Sequence, residues 1–277
     1  MNRRGQDGAV LLVALLIVAI ATTLASFAVQ RQDAAIRRLE AARDHDQARW
    51  ILIGGVQWAR AILAEDARSG QLDHARELWA SPLKATEVED ATLTGSLQDE
   101  QGLFNLAGLV HDGRPSPRRI EAFRRLLRAI DQPPTLADAI AAAQPMTEWS
   151  QLLDVPGCDE RTLARLARVA TLLPAATPVN VNTAPAAVLL TLVDGLEAAE
   201  ASVLANSLRT APAASVAEFS TRLPRPDLRV EDADLAVTSR FFKVHGHVTL
   251  RNIEVRIEAL LQRQGTAWPE IVWSRTS

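Results

Sequence analysis

Apolar residues fill Ala9 to Val29 (AVLLVALLIVAIATTLASFAV) without one charged side chain, directly after the polar opening Met1-Asn2-Arg3-Arg4-Gly5-Gln6-Asp7-Gly8. At about 1.5 Å per residue a helix over this run is roughly 32 Å long, close to the depth of a hydrocarbon core. From Gln30 to about Arg68 no proline intervenes. There Leu52, Val56, Ala59 and Leu63 recur at spacings of four, three and four, one face of a helix, with Trp50 and Trp58 flanking it. The expectation is one helix from Ala9 to about Arg68, half in lipid and half packed on a globular domain, with Gly54-Gly55 as the place where it can bend. Residues 81–117 are rich in turn formers and predict loops with short strands. Ser116 to Asp131 predicts a helix capped by Ser116, with Phe123, Leu126, Leu127 and Ile130 on its apolar face.

The stretch 135–220 is helical and echoes itself. Val155-Pro156-Gly157-Cys158-Asp159 precedes one helix, and thirty-eight residues on Val193-Asp194-Gly195-Leu196-Glu197 precedes another. Each unit reads as helix, glycine hairpin, helix. Asn180-Val181-Asn182-Thr183-Ala184-Pro185 opens the second unit, with Thr183 expected as cap and Pro185 in the first turn. The tail changes period. Phe241–Leu250 (FFKVHGHVTL) and Ile253–Leu261 (IEVRIEALL) alternate apolar and polar residues around Arg251-Asn252, and Glu270–Ser274 offers a third strand. An antiparallel meander with one wet face suits packing against the long N-terminal helix.

Composition removes several classes of function. The 277 residues carry 30 basic and 33 acidic side chains, net charge −3, so nucleic-acid binding through bulk positive charge is excluded. Cys158 is the single cysteine, which rules out an intramolecular disulfide and a CxxC metal site. The sequence contains no HExxH, GxSxG, P-loop or GxGxxG pattern. Cys158 sits where the second hairpin has Leu196, which reads as a small core residue. His245 and His247 lie two apart on one strand face and read as solvated strand residues.

Four readings of the N-terminal segment compete. It serves as a plain membrane anchor, as a signal peptide ending at the small-x-small triplet Ser26-Phe27-Ala28, or as a twin-arginine signal on Arg3-Arg4, which lacks the apolar residues expected next. The fourth fits best: a short basic leader ends in Gly8, directly against an uninterrupted apolar helix. This resembles the leader of type IV pilins and type II secretion pseudopilins, in which prepilin peptidase cuts after the glycine and methylates the new N-terminus. Carried over, the cut falls between Gly8 and Ala9. Most pilin-like chains have Glu at the fifth mature position, where this chain has Val13. Within those families the missing Glu is typical of the minor pseudopilin K. Asp99-Glu100-Gln101-Gly102-Leu103-Phe104-Asn105-Leu106, a D-x-x-G-x-x-N-L pattern, resembles a signature segment of the same family, as does the degenerate helix-hairpin-helix region with Asn180–Pro185.

The resemblance to the type II secretion minor pseudopilin K family implies a fold and a role. The fold is α+β and pilin-like: leader 1–8, transmembrane helix 9–29, pilin-like parts 30–115 and 236–277, and an inserted helical domain 116–235. The role is a non-enzymatic, single-pass inner-membrane subunit, N-terminus cytoplasmic and C-terminal domain periplasmic, at the tip of the pseudopilus that exports folded proteins. Implied partners are minor pseudopilins I and J, the major pseudopilin G and prepilin peptidase. The family can bind calcium through an acidic stretch, but residues 131–148 carry only Asp131, Asp138 and Glu148, so no metal and no cofactor is expected. The alternative function is a membrane-anchored helix-hairpin-helix protein that handles DNA in uptake. Against it, the loop position that should let a phosphate approach holds Asp159 and Glu197, so no nucleic acid is expected as a partner.

Overall fold

The computed structural model describes the backbone of residues 4–70 and 72–277, and the side chains from Val13 onward except Ala34 and Gln71. Gly8 and Ala9 are described in backbone only, their surroundings lying outside the described residues, while Val13 lies within them, 56% exposed. Helix α1 spans Arg4–Ser69, 66 residues without a break at Gly54-Gly55. Its first part has no protein around it: Leu16 and Leu24 are 59% and 64% exposed. This is the one helix among the described residues that is long and apolar enough to cross a membrane. The hydroxyls of Thr22 and Thr23 donate back to Val18 and Ala19 carbonyls, so these two polar groups of the apolar stretch are satisfied inside the helix.

The second part of α1 buries the face that the spacing predicts. Ala48, Leu52, Val56, Ala59 and Leu63 are all at most 5% exposed. They pack on a five-stranded antiparallel sheet of β1 (Leu83–Val88), β2 (Ala91–Asp99), β3 (Phe241–Leu250), β4 (Ile253–Gln262) and β5 (Glu270–Thr276), in that spatial order. Phe242, Val244, Val248, Val255, Ile257 and Ala259 face the helix, and burying each large apolar side chain contributes about 1.5–3 kcal/mol. Lys243, His245 and His247 share the opposite face with Arg256 and Glu258, as the alternation requires. Arg251 closes the β3–β4 hairpin at φ +51°.

The expectation of loops with short strands over 81–117 is corrected here. Residues 91–99 form a nine-residue strand paired along its whole length with β3. Its period is genuine, with Ala91 and Leu93 turned inward between Thr92 and Thr94. Gly95 and Ser96 in mid-strand read as turn chemistry, and cross-strand pairing overrides that local preference.

Between β2 and β3 the chain leaves the sheet for residues 100–240 and builds a second core around Phe104, Phe123, Leu126, Ile140, Leu189 and Phe219. The helices are α2 (Pro117–Ala129), α3 (Leu136–Ala142), α4 (Glu160–Leu166), α5 (Ala186–Leu192), α6 (Ala198–Thr210) and α7 (Val216–Thr221). Helix α2 has Ser116 at its N-cap position, but the hydroxyl makes no capping bond. The Pro117 that follows has no N–H to cap and already presets the first turn. Helix α5 starts at Ala186, with Pro185 rather than Thr183 at the cap position. Thr183 is held elsewhere, in the polar joint described next.

Candidate functional site

Asp99 ends β2 and Asn180 ends a two-residue bridge, Val179–Asn180, that pairs in parallel with Leu235–Ala236. The two side chains meet where the sheet gives way to the inserted region. Asp99 Oδ2 accepts hydrogen bonds from Asn180 Nδ2 (2.9 Å), Thr183 Oγ1 (2.6 Å) and Ser239 Oγ (2.6 Å), while Oδ1 accepts from the Gln101 backbone N–H (2.8 Å). Burial raises the Asp99 carboxyl to about 6 against those stabilising donors. Gly102 sits against Thr183 so closely that an added Cβ would lie 2.5 Å from Thr183 Oγ1 and 3.0 Å from its backbone. Asn105, fully buried, donates to the Ala175 carbonyl at 2.7 Å and accepts from Ala107 N–H at 3.1 Å. Asn182 exchanges two bonds with the Ala213 backbone, 2.8 and 3.1 Å. The D-x-x-G-x-x-N-L and N-V-N-T-A segments are thus one interlocked joint, in which Asp99, Asn105, Asn180, Asn182 and Thr183 are each hydrogen-bonded.

A second layer ties this joint to α1. Arg263, just past β4, binds both Asp73 oxygens at 2.6 Å, Asp66 Oδ2 at 2.8 Å and the Ser239 carbonyl at 2.9 Å, and lies over the Phe242 ring. Asp73 Oδ2 in turn accepts the Ser239 N–H at 2.7 Å. Burial raises the Asp73 carboxyl, opposed chiefly by the Arg263 charge. Asp66, Asp73 and Ser239 carry no sequence pattern that links them to Arg263, which is 190 and 197 residues away from the two aspartates. An arginine closing an otherwise apolar strand end was the single available signal.

The remaining candidates are placed one by one. Cys158 is buried in the inserted core, as is Leu196, and burial followed by the Asp159 charge raises its thiol, so it is not an activated nucleophile. Gly157 and Gly195 turn the two hairpins at φ +87° and +79°, a conformation that favours glycine. Asp159 caps α4 by accepting the Thr162 N–H, and Glu197 forms a capping box with Glu200 at α6. These carboxylates cover the helix N-termini that a phosphate would need. His245 and His247 lie 3.4 and 3.6 Å from Glu258 and Glu254, cross-strand pairs on the wet face.

The acidic residues present do not fit a calcium ion. Asp138 pairs with Arg124 and Glu148 with Arg275. Among the described residues one carboxylate group is close-set, Asp66, Asp73 and Glu77. Arg263 already occupies its first two members, and Glu77 accepts from His74 N–H and Trp79 Nε1.

A long helix, exposed and apolar at one end and packed on an antiparallel sheet at the other, defines a pilin-like subunit, here with a large helical insertion between the second and third strands. The comparisons specify it. The family model for type II secretion system protein K matches residues 179–238. The type II secretion system protein K of Pseudomonas aeruginosa is 29% identical over 94% of this chain and 90% of its own length, and that of Klebsiella pneumoniae 28% over 96% and 94%. The crystal structure of the GspK-GspI-GspJ complex from enterotoxigenic Escherichia coli aligns with TM-score 0.75 and 20% identity, covering 87% of this chain and 99% of the solved one. The chain is thus similar to type II secretion system K proteins along nearly its whole length.

Proposed function

We propose that this chain is a minor pseudopilin, a non-enzymatic subunit at the tip of the type II secretion pseudopilus that supports export of folded proteins across the outer membrane. The observation that carries the reading is α1: one uninterrupted helix whose apolar start is bare and whose end is the backbone of a folded domain. Such a helix is both anchor and assembly element. The leader fits removal by prepilin peptidase between Gly8 and Ala9. The globular part then lies on the periplasmic side of the inner membrane and the N-terminus on the cytoplasmic side.

Val13 supports the tip position. A carboxylate at the centre of a bilayer costs about 2.5–3.5 kcal/mol on insertion scales, and in pilin-like filaments it is compensated by the amine of a neighbour. Val13 carries no such cost and offers no such pair. The inserted region, 100–240, also adds bulk where a subunit stacked above would sit. The neighbour in the E. coli structure is assembled with GspI and GspJ, and we take the corresponding minor pseudopilins as partners here, with the major pseudopilin G below them.

N-terminal sequencing of the mature membrane protein tests the reading. Ala9 bearing a methylated amine is expected, and Gly8→Leu should leave full-length precursor. A mature N-terminus at Val29, or normal maturation of Gly8→Leu, overturns it.

A further inference from the structure

Helix α1 and the sheet do not close on each other everywhere. Midway along their interface lies a slot of about 350 Å³. Gly95 and Gly246 stand opposite each other in the β2–β3 register and line it from the sheet, and Gly55 lines it from the helix. Neither strand position has room for a side chain. A Cβ at Gly246 would lie 2.8 Å from Ile257 Cγ2 and 3.1 Å from Leu52 Cδ2, and one at Gly95 would lie 2.9 Å from the His245 carbonyl oxygen. The close approach of the surrounding chain therefore keeps the hollow open. Protein interiors hold few voids of this size, because the lining loses contacts on one side. The volume lies at the lower end of small-molecule sites, roughly 300–1,000 Å³.

The walls are apolar, with Val56, Ala59 and Ile62 on one side and Leu93 on the other. Trp79 closes one end, held by its edge contact with Phe242 at 5.1 Å and by its Nε1 bond to Glu77 at 2.8 Å. At the mouth Trp58 and Leu78 are 51% and 76% exposed. The charge around the slot has one sign. Among the described residues no Asp or Glu lines it, and the cationic side chains that do are Lys84 and His245. Glu258 already stands 3.4 Å from His245. Lys84 has no carboxylate within ion-pair reach among the described residues, whereas Lys243, the other lysine, is paired with Glu100. A β-bulge brings Lys84 to the mouth. Leu83 pairs with Gly95 and Thr86 with Leu93, so Lys84 and Ala85 together stand opposite Thr94. On an edge strand such as β1, a bulge re-aims a side chain.

We propose that this slot binds a fatty acid, its alkyl chain lying between α1 and the Gly95–Gly246 pair and its carboxylate meeting Lys84 at the mouth. An unbranched alkyl chain is narrow enough to pass between a helix and a sheet, and it needs no hydrogen bond from apolar walls. The unanswered ammonium makes the head an anion, because a charge-assisted bond to a carboxylate is stronger than one to a neutral group. A slot of this size takes one chain, which excludes a two-chain phospholipid. The inference stands on the slot and holds whether or not the chain caps a pseudopilus.

Every buried apolar residue among those described lies between Ala48 and Leu261, so residues 31–277 keep both cores intact. The test uses that fragment without detergent, whose own alkyl chains would compete. Calorimetric titration with decanoate is expected to show one site per chain. Decylammonium, the same chain with a cationic head, should bind roughly tenfold more weakly, and Lys84→Gln should bring decanoate down to that level. Gly55→Leu places its Cβ 3.6 Å from Leu93, an ordinary contact, and the rest of its side chain in the slot. It should abolish binding and leave the melting temperature unchanged. Gly54→Leu is the control, because nothing lies within 4 Å of a Cβ there, and it should bind decanoate as the wild type does. If Gly55→Leu fails to fold, the exposed substitution Lys84→Gln decides alone. Equal affinity for decanoate and decylammonium would mark a crevice for any apolar group, a partner's side chain included, and overturns the proposal. No binding at millimolar decanoate, or binding untouched by Lys84→Gln or by a folded Gly55→Leu, overturns it as well.

Discussion

Asp99 shows how much one buried carboxyl carries. Its folded pKa of about 6 lies above the ordinary 3.8, so the folded state binds this proton more tightly than the unfolded chain. The stability this provides is complete below the ordinary pKa and is lost as pH rises through about 6, on the order of 3 kcal/mol. Asn at this site does not titrate and turns an amide donor toward the Gln101 N–H or the hydroxyls. The stability advantage of the wild type over Asp99→Asn should therefore shrink between pH 4 and 7, measured by urea unfolding of residues 31–277. An advantage that is flat or rising with pH contradicts this assignment. Arg263→Ala leaves Asp73 buried without its counter-charge and should cost about 3–5 kcal/mol in the same assay. Lys there should rescue little, because it cannot span both Asp73 oxygens and Asp66. At this scale the sequence was only partly legible. Asp99, Gly102, Asn105 and Asn180 stand in recognisable segments, yet by themselves they read as turn formers. Their burial comes from partners 59 to 140 residues away, a separation that no local pattern encodes.

Among the elements, those with a strong period were readable and those made by pairing were not. The face Leu52–Leu63 and the β3–β4 hairpin follow directly from spacings of 3.6 and 2. Strand β2 was obscured by Gly95 and Ser96, and the two-residue bridges, Val179–Asn180 and the pairing of Phe104–Asn105 with Ala170–Thr171, are too short to leave a period. Thr183 had the sequence of a helix cap, but Asp99 holds its hydroxyl instead. The two glycine hairpins were legible as elements, and their chemistry follows from what caps the helices behind them. With Asp159 and Glu197 at those N-termini, the chain should show no submicromolar affinity for duplex DNA even at low salt, where electrostatic binding is strongest. Tight, steeply salt-dependent binding in an anisotropy titration would restore the DNA-handling alternative.

The whole molecule joins two cores through one polar joint. The sheet and α1 form the first, residues 104–235 the second, and the Asp99, Asn180 and Arg263 bonds hold them in a fixed relation. On the proposed function, this joint would fix the position of the inserted region relative to the N-terminal helix. The central claim, a single-copy tip subunit, is tested most directly by light scattering of residues 31–277 alone and mixed with the periplasmic domains of minor pseudopilins I and J. The account predicts a monomer alone and a 1:1:1 complex in the mixture. Concentration-dependent polymers of this chain by itself, or no complex with I and J at tens of micromolar, would contradict it.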